Sequence, residues 1–158
     1  KYITRNGLVK LKYNAPHGKM ETENNQVAVA FNSSTGDMQF NIVMLSFKFE
    51  GAYSQEKFDE YFKKNAHFAN SIFKGKIVDF EKIDLNNKGE YEVLVKGNFT
   101  LRQNTHEISA KAKFTVGDNF LSGKSTFTVN LKDFNFNIPP SMEKNIQVII
   151  DAKLHKMN

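Results

Sequence analysis

The sequence predicts an all-β protein with one short helix, its strands closed into an extended antiparallel barrel of about eight. Three observations carry this. Four stretches alternate apolar and polar residues almost without error, which sends successive side chains to opposite faces of a strand. Each runs to about ten residues against the usual five or six, and long strands with one apolar face favour a sheet curled around itself. The 158 residues hold no linker, low-complexity run or solenoid-range repeat, so a single domain over 1–158 has to contain them all.

The elements follow in chain order. Val9, Leu11 and Tyr13 alternate with Lys10, Lys12 and Asn14, a first strand that ends at the turn residues Asn14, Pro16 and Gly18. Val27, Val29 and Phe31 form the next. Asn32, Ser33, Ser34, Thr35, Gly36 and Asp37 are turn chemistry and lead into a return strand from Met38 to about Gly51. There the alternation reverses: Phe40, Ile42 and Met44 lie on one phase, and Val43, Leu45, Phe47 and Phe49 on the other. Either a bulge flips the facing in mid-strand, or both faces of the strand are covered.

Ser54 to Lys64 reads as a helix, with Ser54 as cap, Glu56 in the first turn, and Phe58, Tyr61 and Phe62 on one stripe. It is expected to cover or plug one barrel end. Strands resume with Ile72 to Phe80 and turn at Asn86, Asn87, Lys88 and Gly89. The four regular segments come next, with inward phases Tyr91 to Leu101, Ile108 to Val116, Leu121 to Leu131 and Ile146 to Leu154. Between the last two, Pro139 and Pro140 forbid a continuous ladder from Asp133 to Ser141.

Composition excludes several classes of chemistry. Zero cysteines remove disulfides, thiolate zinc sites and cysteine nucleophiles together. His17, His67, His106 and His155 are scattered over turns and termini, and Glu90, Glu92 and Glu107 sit on outward phases, so no metal or catalytic constellation assembles from spacing. The net charge of +5 comes from lysines placed singly on outer phases, as at Lys96, Lys111, Lys113 and Lys124. That is a solvated exterior rather than a nucleic-acid surface. The chain starts at Lys1 rather than methionine, from which a removed targeting segment is expected.

The positive signal is aromatic. Fifteen phenylalanines and five tyrosines make up 13% of the residues, and Phe31, Phe73, Phe99, Phe114 and Phe127 fall on inward phases. A filled core alone would account for them. Against filling stand small residues on the same phases, Gly97, Ala110, Ala112, Gly123, Ser125 and Ala152, which leave space along the axis. The expected walls of such a space are Phe31, Phe47, Phe73, Val95, Phe99, Phe114, Phe127 and Val129, with Phe62 near an opening and Ala112 and Gly123 supplying room.

Several of these segments also resemble, in order and spacing, the YceI-like proteins. The residues concerned are Ser46, Phe47, Phe49 and Glu50; then Phe58, Tyr61 and Phe62; then Phe73, Lys74, Gly75, Lys76 and Ile77. Tyr91, Val93, Val95, Gly97, Phe99, Thr100 and Leu101 follow, and Phe127, Val129, Leu131, Asp133, Phe134, Ile138 and Pro139 close the series. The resemblance spans roughly Leu8 to Leu154. It departs in turns, with Arg102, Gln103 and Asn104 where the family commonly has His-Gly, and Ala69 in place of a proline.

The resemblance implies a lipocalin-like barrel around a long isoprenoid or fatty chain, in a periplasmic or secreted protein, with no catalytic residue and no cofactor beyond the lipid. The implied partner is therefore a hydrophobic small molecule, with no nucleic acid; transient membrane contact and a homodimer are compatible with it. About twenty enclosed carbons would supply a gross term on the order of 16 kcal/mol, with shallow discrimination by length. Two other readings compete: a filled barrel serving as a structural or protein-interaction module, and an outer-membrane barrel with its apolar phase facing lipid.

Overall fold

The computed structural model describes residues 1–16, 18–136 and 144–157. Its strands are β1 (Tyr2–Ala15), β2 (Gly18–Phe31), β3 (Asp37–Val43), β4 (Lys48–Phe49), β5 (Asn70–Ile77), β6 (Gly89–Leu101), β7 (Asn104–Val116), β8 (Phe120–Asn130) and β9 (Asn145–Lys156), with helix α1 at Ala52–Lys63. Eight of them close into a ring, β1-β9-β8-β7-β6-β5-β3-β2 and back to β1, all antiparallel; β4 lies on β2 outside the ring.

Closure needs the first strand to coil. The β1–β2 register shifts on both sides of Gly7, and such bulges add the local twist that bends a long strand around a barrel. A Cβ at Gly7 would sit 3.1 Å from the Val27 carbonyl oxygen, so the bend brings the two backbones close together.

The apolar phases turn inward and the outer phases of β5 to β8 carry Lys74, Lys76, Lys96, Lys111, Lys113 and Lys124. This is the reverse of a lipid-facing barrel, whose apolar band lies outside. No helix among the described residues is long and apolar enough to cross a membrane.

The four regular segments become β6 to β9, and the structure corrects the expectations elsewhere. The strand expected from Met38 to Gly51 leaves the sheet at Val43, turns through a 3-10 segment at Met44–Ser46 and returns only as β4. The reversal of phase is therefore a departure of the chain, neither a bulge nor a doubly covered strand. Helix α1 starts after Gly51 without a side-chain cap, and Ser54 lies inside it. β5 stops at Ile77, and Phe80 belongs to a 3-10 turn, Phe80–Lys82. Asp133 belongs to another, Leu131–Phe134, and Pro139 and Pro140 lie outside the described residues.

The departure at Val43 explains two polar residues in the interior. Once β3 has peeled away, β2 loses its ladder partner beyond the Ala28–Asn41 pair, and β2 side chains take over the bonding. Asn24, fully buried, donates to the Val43 carbonyl (3.0 Å) and accepts from the Gln26 amide (2.9 Å). Thr22 donates to the Lys48 carbonyl (2.7 Å). Asn24→Ala removes both bonds of a fully buried side chain and leaves two part-buried backbone groups without these partners, at about 1 kcal/mol each. Urea titration should show a loss of about 2 kcal/mol or more, and an unchanged midpoint would refute this stitching role.

Gly97 has a different part from the one its phase suggests. It pairs with Gly75 across β5 and β6, and the Phe73 ring lies over both, 2.5 Å from where a Cβ on Gly75 would stand. A Cβ on Gly97 would collide with the Lys74 carbonyl and with Phe73. The space Gly97 provides is thus taken by Phe73. Overpacking of this kind costs about 1–3 kcal/mol, so Gly97→Ala should lower the thermal midpoint with no gain in cavity function.

Candidate ligand-binding cavity

The barrel is hollow. An apolar void of about 210 Å³ runs along its axis, and its walls include residues from all eight ring strands. Phe31, Phe47, Phe73, Val95, Phe99, Ala112, Phe114, Gly123, Phe127 and Val129 line it, as do the small residues Ala110, Ser125 and Ala152. Gly97 is absent from the lining because Phe73 occupies its space. Phe62 also stands apart: its ring packs 4.6 Å from Phe58 and 5.0 Å from Tyr61, buried under the helix rather than facing the void. A Cβ added at Gly123 would meet nothing within 4 Å, so this glycine opens directly onto free space.

One end of the void is shut by aromatic packing. Phe31 meets Phe80 edge-on at 5.6 Å and Phe114 at 5.7 Å. Gly36, at φ +84, makes room for the Phe80 ring, since a Cβ there would lie 2.6 Å from it. Only a residue without a side chain suits both the left-handed backbone and the contact.

The other end is roofed by α1 and its neighbours. Phe47, which is 2% exposed, lines the void with one face and stacks edge-on against Phe58 of α1 at 5.8 Å. Gln55 holds the roof down: its side chain accepts from the Phe49 amide (2.9 Å) and donates to the Phe47 carbonyl (2.9 Å).

Beside the helix, the 3-10 segment after β8 places Phe134 edge-on to Phe99 at 5.5 Å. It is tied to the start of β7 by a 3.5 Å contact of His106 with Asp133 and by the Asn135 side-chain Nδ2 donating to Asn104 Oδ1 at 2.7 Å. Arg102 joins these pieces. Its guanidinium lies 4.4 Å from the Phe136 ring, 5.6 Å from Phe68 and 5.7 Å from Tyr61, and it donates to the Asn135 carbonyl at 3.3 Å. Burial raises the Tyr61 phenol pKa above its ordinary value, and the nearby Arg102 charge opposes that shift.

Arg102 and Gln103 form a two-residue turn with φ of 54 and 68, the left-handed pair a tight hairpin demands and usually fills with Asn-Gly. The turn thereby carries a cation that three aromatic rings engage.

Sequence reasoning missed Thr22, Asn24, Gln55 and Arg102. Each is polar in a place where apolarity marks the interior, so hydropathy phase hides it. The one signal for any of them was the pair Thr22 and Asn24 at strand spacing just before Val27.

The pattern of the YceI-like domain matches residues 7–154. The chain belongs to the YceI-like family. Among solved structures, it is similar to a polyisoprenoid binding domain from Saccharophagus degradans implicated in plant cell wall breakdown, at 9% identity and TM-score 0.82 over 99% of this chain and 98% of that one. BcnA of Burkholderia cenocepacia aligns at 11% identity and TM-score 0.72, over 93% and 95%. The YceI protein of Campylobacter jejuni aligns at 15% identity and TM-score 0.63, over 84% and 81%. At these identities the likeness is one of fold. No curated protein matches the chain in sequence. The YceI-like barrel here differs little in extent from its first two structural neighbours, since each alignment spans more than nine-tenths of both chains.

Among the described residues no group of His, Cys, Asp or Glu is arranged to hold a metal. What the site offers is an apolar, elongated enclosure.

Proposed function

We propose that this protein binds and carries or sequesters a long apolar ligand, an isoprenoid or fatty chain, inside the barrel, without catalysis. The observation that carries this reading is the axial void walled by hydrocarbon, which a filled structural module lacks. The description of a structural neighbour as a polyisoprenoid binding domain supports the ligand class. The lining residues named above would be the contact wall.

The void is larger than an apolar cavity of about 150 Å³ that takes up benzene. In proportion, its 210 Å³ seats a segment of about eight carbons, fewer than the twenty expected from sequence. At about 0.8 kcal/mol per methylene that is a gross term of roughly 6 kcal/mol, before the costs of association. A longer chain must continue beyond the enclosed part.

Native mass spectrometry of gently purified protein, with uptake of fluorescent fatty-acid and prenyl probes, tests the reading. Co-purified lipid or saturable uptake is expected; a homogeneous unliganded mass with no uptake defeats it.

Periplasmic or secreted location, brief membrane contact during exchange and homodimerisation belong to the same proposal. Cell fractionation, co-sedimentation with anionic vesicles and sedimentation velocity check them in turn.

A further inference from the structure

Two seams of the barrel split toward the helix-covered end, and only one is filled by an inserted segment of chain. Between β2 and β3 the gap is filled by the Met44–Phe49 segment and bonded through Asn24 and Thr22, as described above. Between β7 and β8 the ladder runs only from Val116–Leu121 to Ala112–Ser125. Both strands continue past that point, β7 back to Asn104 and β8 on to Asn130. They remain paired on their other sides, to β6 and β9.

The last tie across the seam is the Ser125 hydroxyl donating to the Lys111 carbonyl at 2.7 Å. Beyond it no hydrogen bond joins β7 to β8 themselves among the described residues; the segment after β8 rejoins the start of β7 only at Asn104 and His106, so the gap is a slot bounded at both ends. Ile108 and Ala110 on one lip and Phe127 on the other line the void, so the gap between the strands lies directly over cavity wall. The wall of the interior is formed here by two strand edges whose facing backbone groups lack ladder partners.

We propose that the split β7–β8 seam is the doorway of the cavity. The apolar chain passes sideways between Ile108, Ala110 and Phe127, and what the void cannot hold emerges there with the ligand's polar end. The facing backbone groups of the two lips, which cannot pair with each other, are the hydrogen-bonding partners of that end. The ligand class is then a single-chain amphiphile with a head too polar for the interior. The proposal rests on the binding reading above, and it accounts for a void that is shorter than the ligands it suits.

The absence of cysteine makes a clean test. Extending the observed register by three residues sets Ser109 opposite Thr128, both on the outer phase and outside the cavity wall. Ser109→Cys with Thr128→Cys, bridged by a short bis-maleimide, locks the seam. The control, Lys96→Cys with Ser109→Cys, bridges the intact β6–β7 pair at Lys96 and Ser109.

Uptake of a fluorescent polyene fatty acid should slow about tenfold or more in the locked seam, equivalent to about 1.4 kcal/mol of barrier. The control should keep the rate of the unbridged protein. A head-group nitroxide on the same acid should broaden the amide signals of the β7 and β8 lips and spare the Asn32–Gly36 turn at the closed end. Equal rates in all forms, or equal slowing in both bridged forms, overturns the doorway. No uptake by the unbridged protein overturns the binding reading itself, and the doorway falls with it.

Discussion

Gly123→Phe is expected to abolish ligand uptake while leaving the barrel folded. The site faces empty space, with no atom within 4 Å of where a Cβ would stand, so a benzyl group enters the void instead of displacing a neighbour. Removing room for about four methylenes forfeits about 3 kcal/mol of transfer energy, more than a hundredfold in affinity. The fold should be unharmed or firmer, because glycine inside a strand costs roughly 0.5–1 kcal/mol relative to alanine. Probe titration beside urea unfolding measures both quantities. Ala112→Phe, opposite Ser125 on the adjoining strand, should act alike. Unchanged affinity in both variants would mean that the ligand lies elsewhere.

Phe47→Ala should have the largest effect on stability. Its ring is almost fully buried, faces the void on one side and supports Phe58 on the other. Truncating a buried phenylalanine costs about 3–5 kcal/mol, a large share of what a domain of this size has in reserve. The roof should loosen before the ring of strands, because Gln55 anchors to the backbone on either side of residue 48 and has no support from the sheet beyond β4. Hydrogen exchange should therefore rise first at the amides of Phe49 and of α1. Uniform protection across α1 and β6 in the variant would contradict this order.

The regular half of the molecule is legible in the sequence because each of β6 to β9 has one wet and one apolar face for its whole length. Alternation alone assigns Tyr91, Val93, Val95 and Phe99 inward. The lining residues follow from the same phase, and Gly123 reads as room. What the pattern hides is local. Glu21 to Gln26 is polar on both phases, so hydropathy marks no inner face there; its extended form comes from pairing with β1.

At Val43 the chain leaves the sheet because Asn24 and Thr22 wait on the neighbouring strand to receive it, and hydropathy is blind to that arrangement. Gly97 and Gly123 look identical in sequence, small residues on inward phases. Only the ring of Phe73 tells them apart, and its position is a matter of cross-strand neighbours. Phe62 shares a stripe with Phe58 and Tyr61, and the stripe fixes which face is buried without saying what it is buried against.

The wedge of Phe73 into both glycine notches sets the mechanics of the enclosure. A ring laid across two paired backbones closes both notches, so the β5–β6 flank has no spare room to give and behaves as an anvil. Cargo of greater girth must push outward at the β7–β8 seam, next but one around the ring, where the ladder is short. One part of the tube then gauges what it holds, and another yields to it.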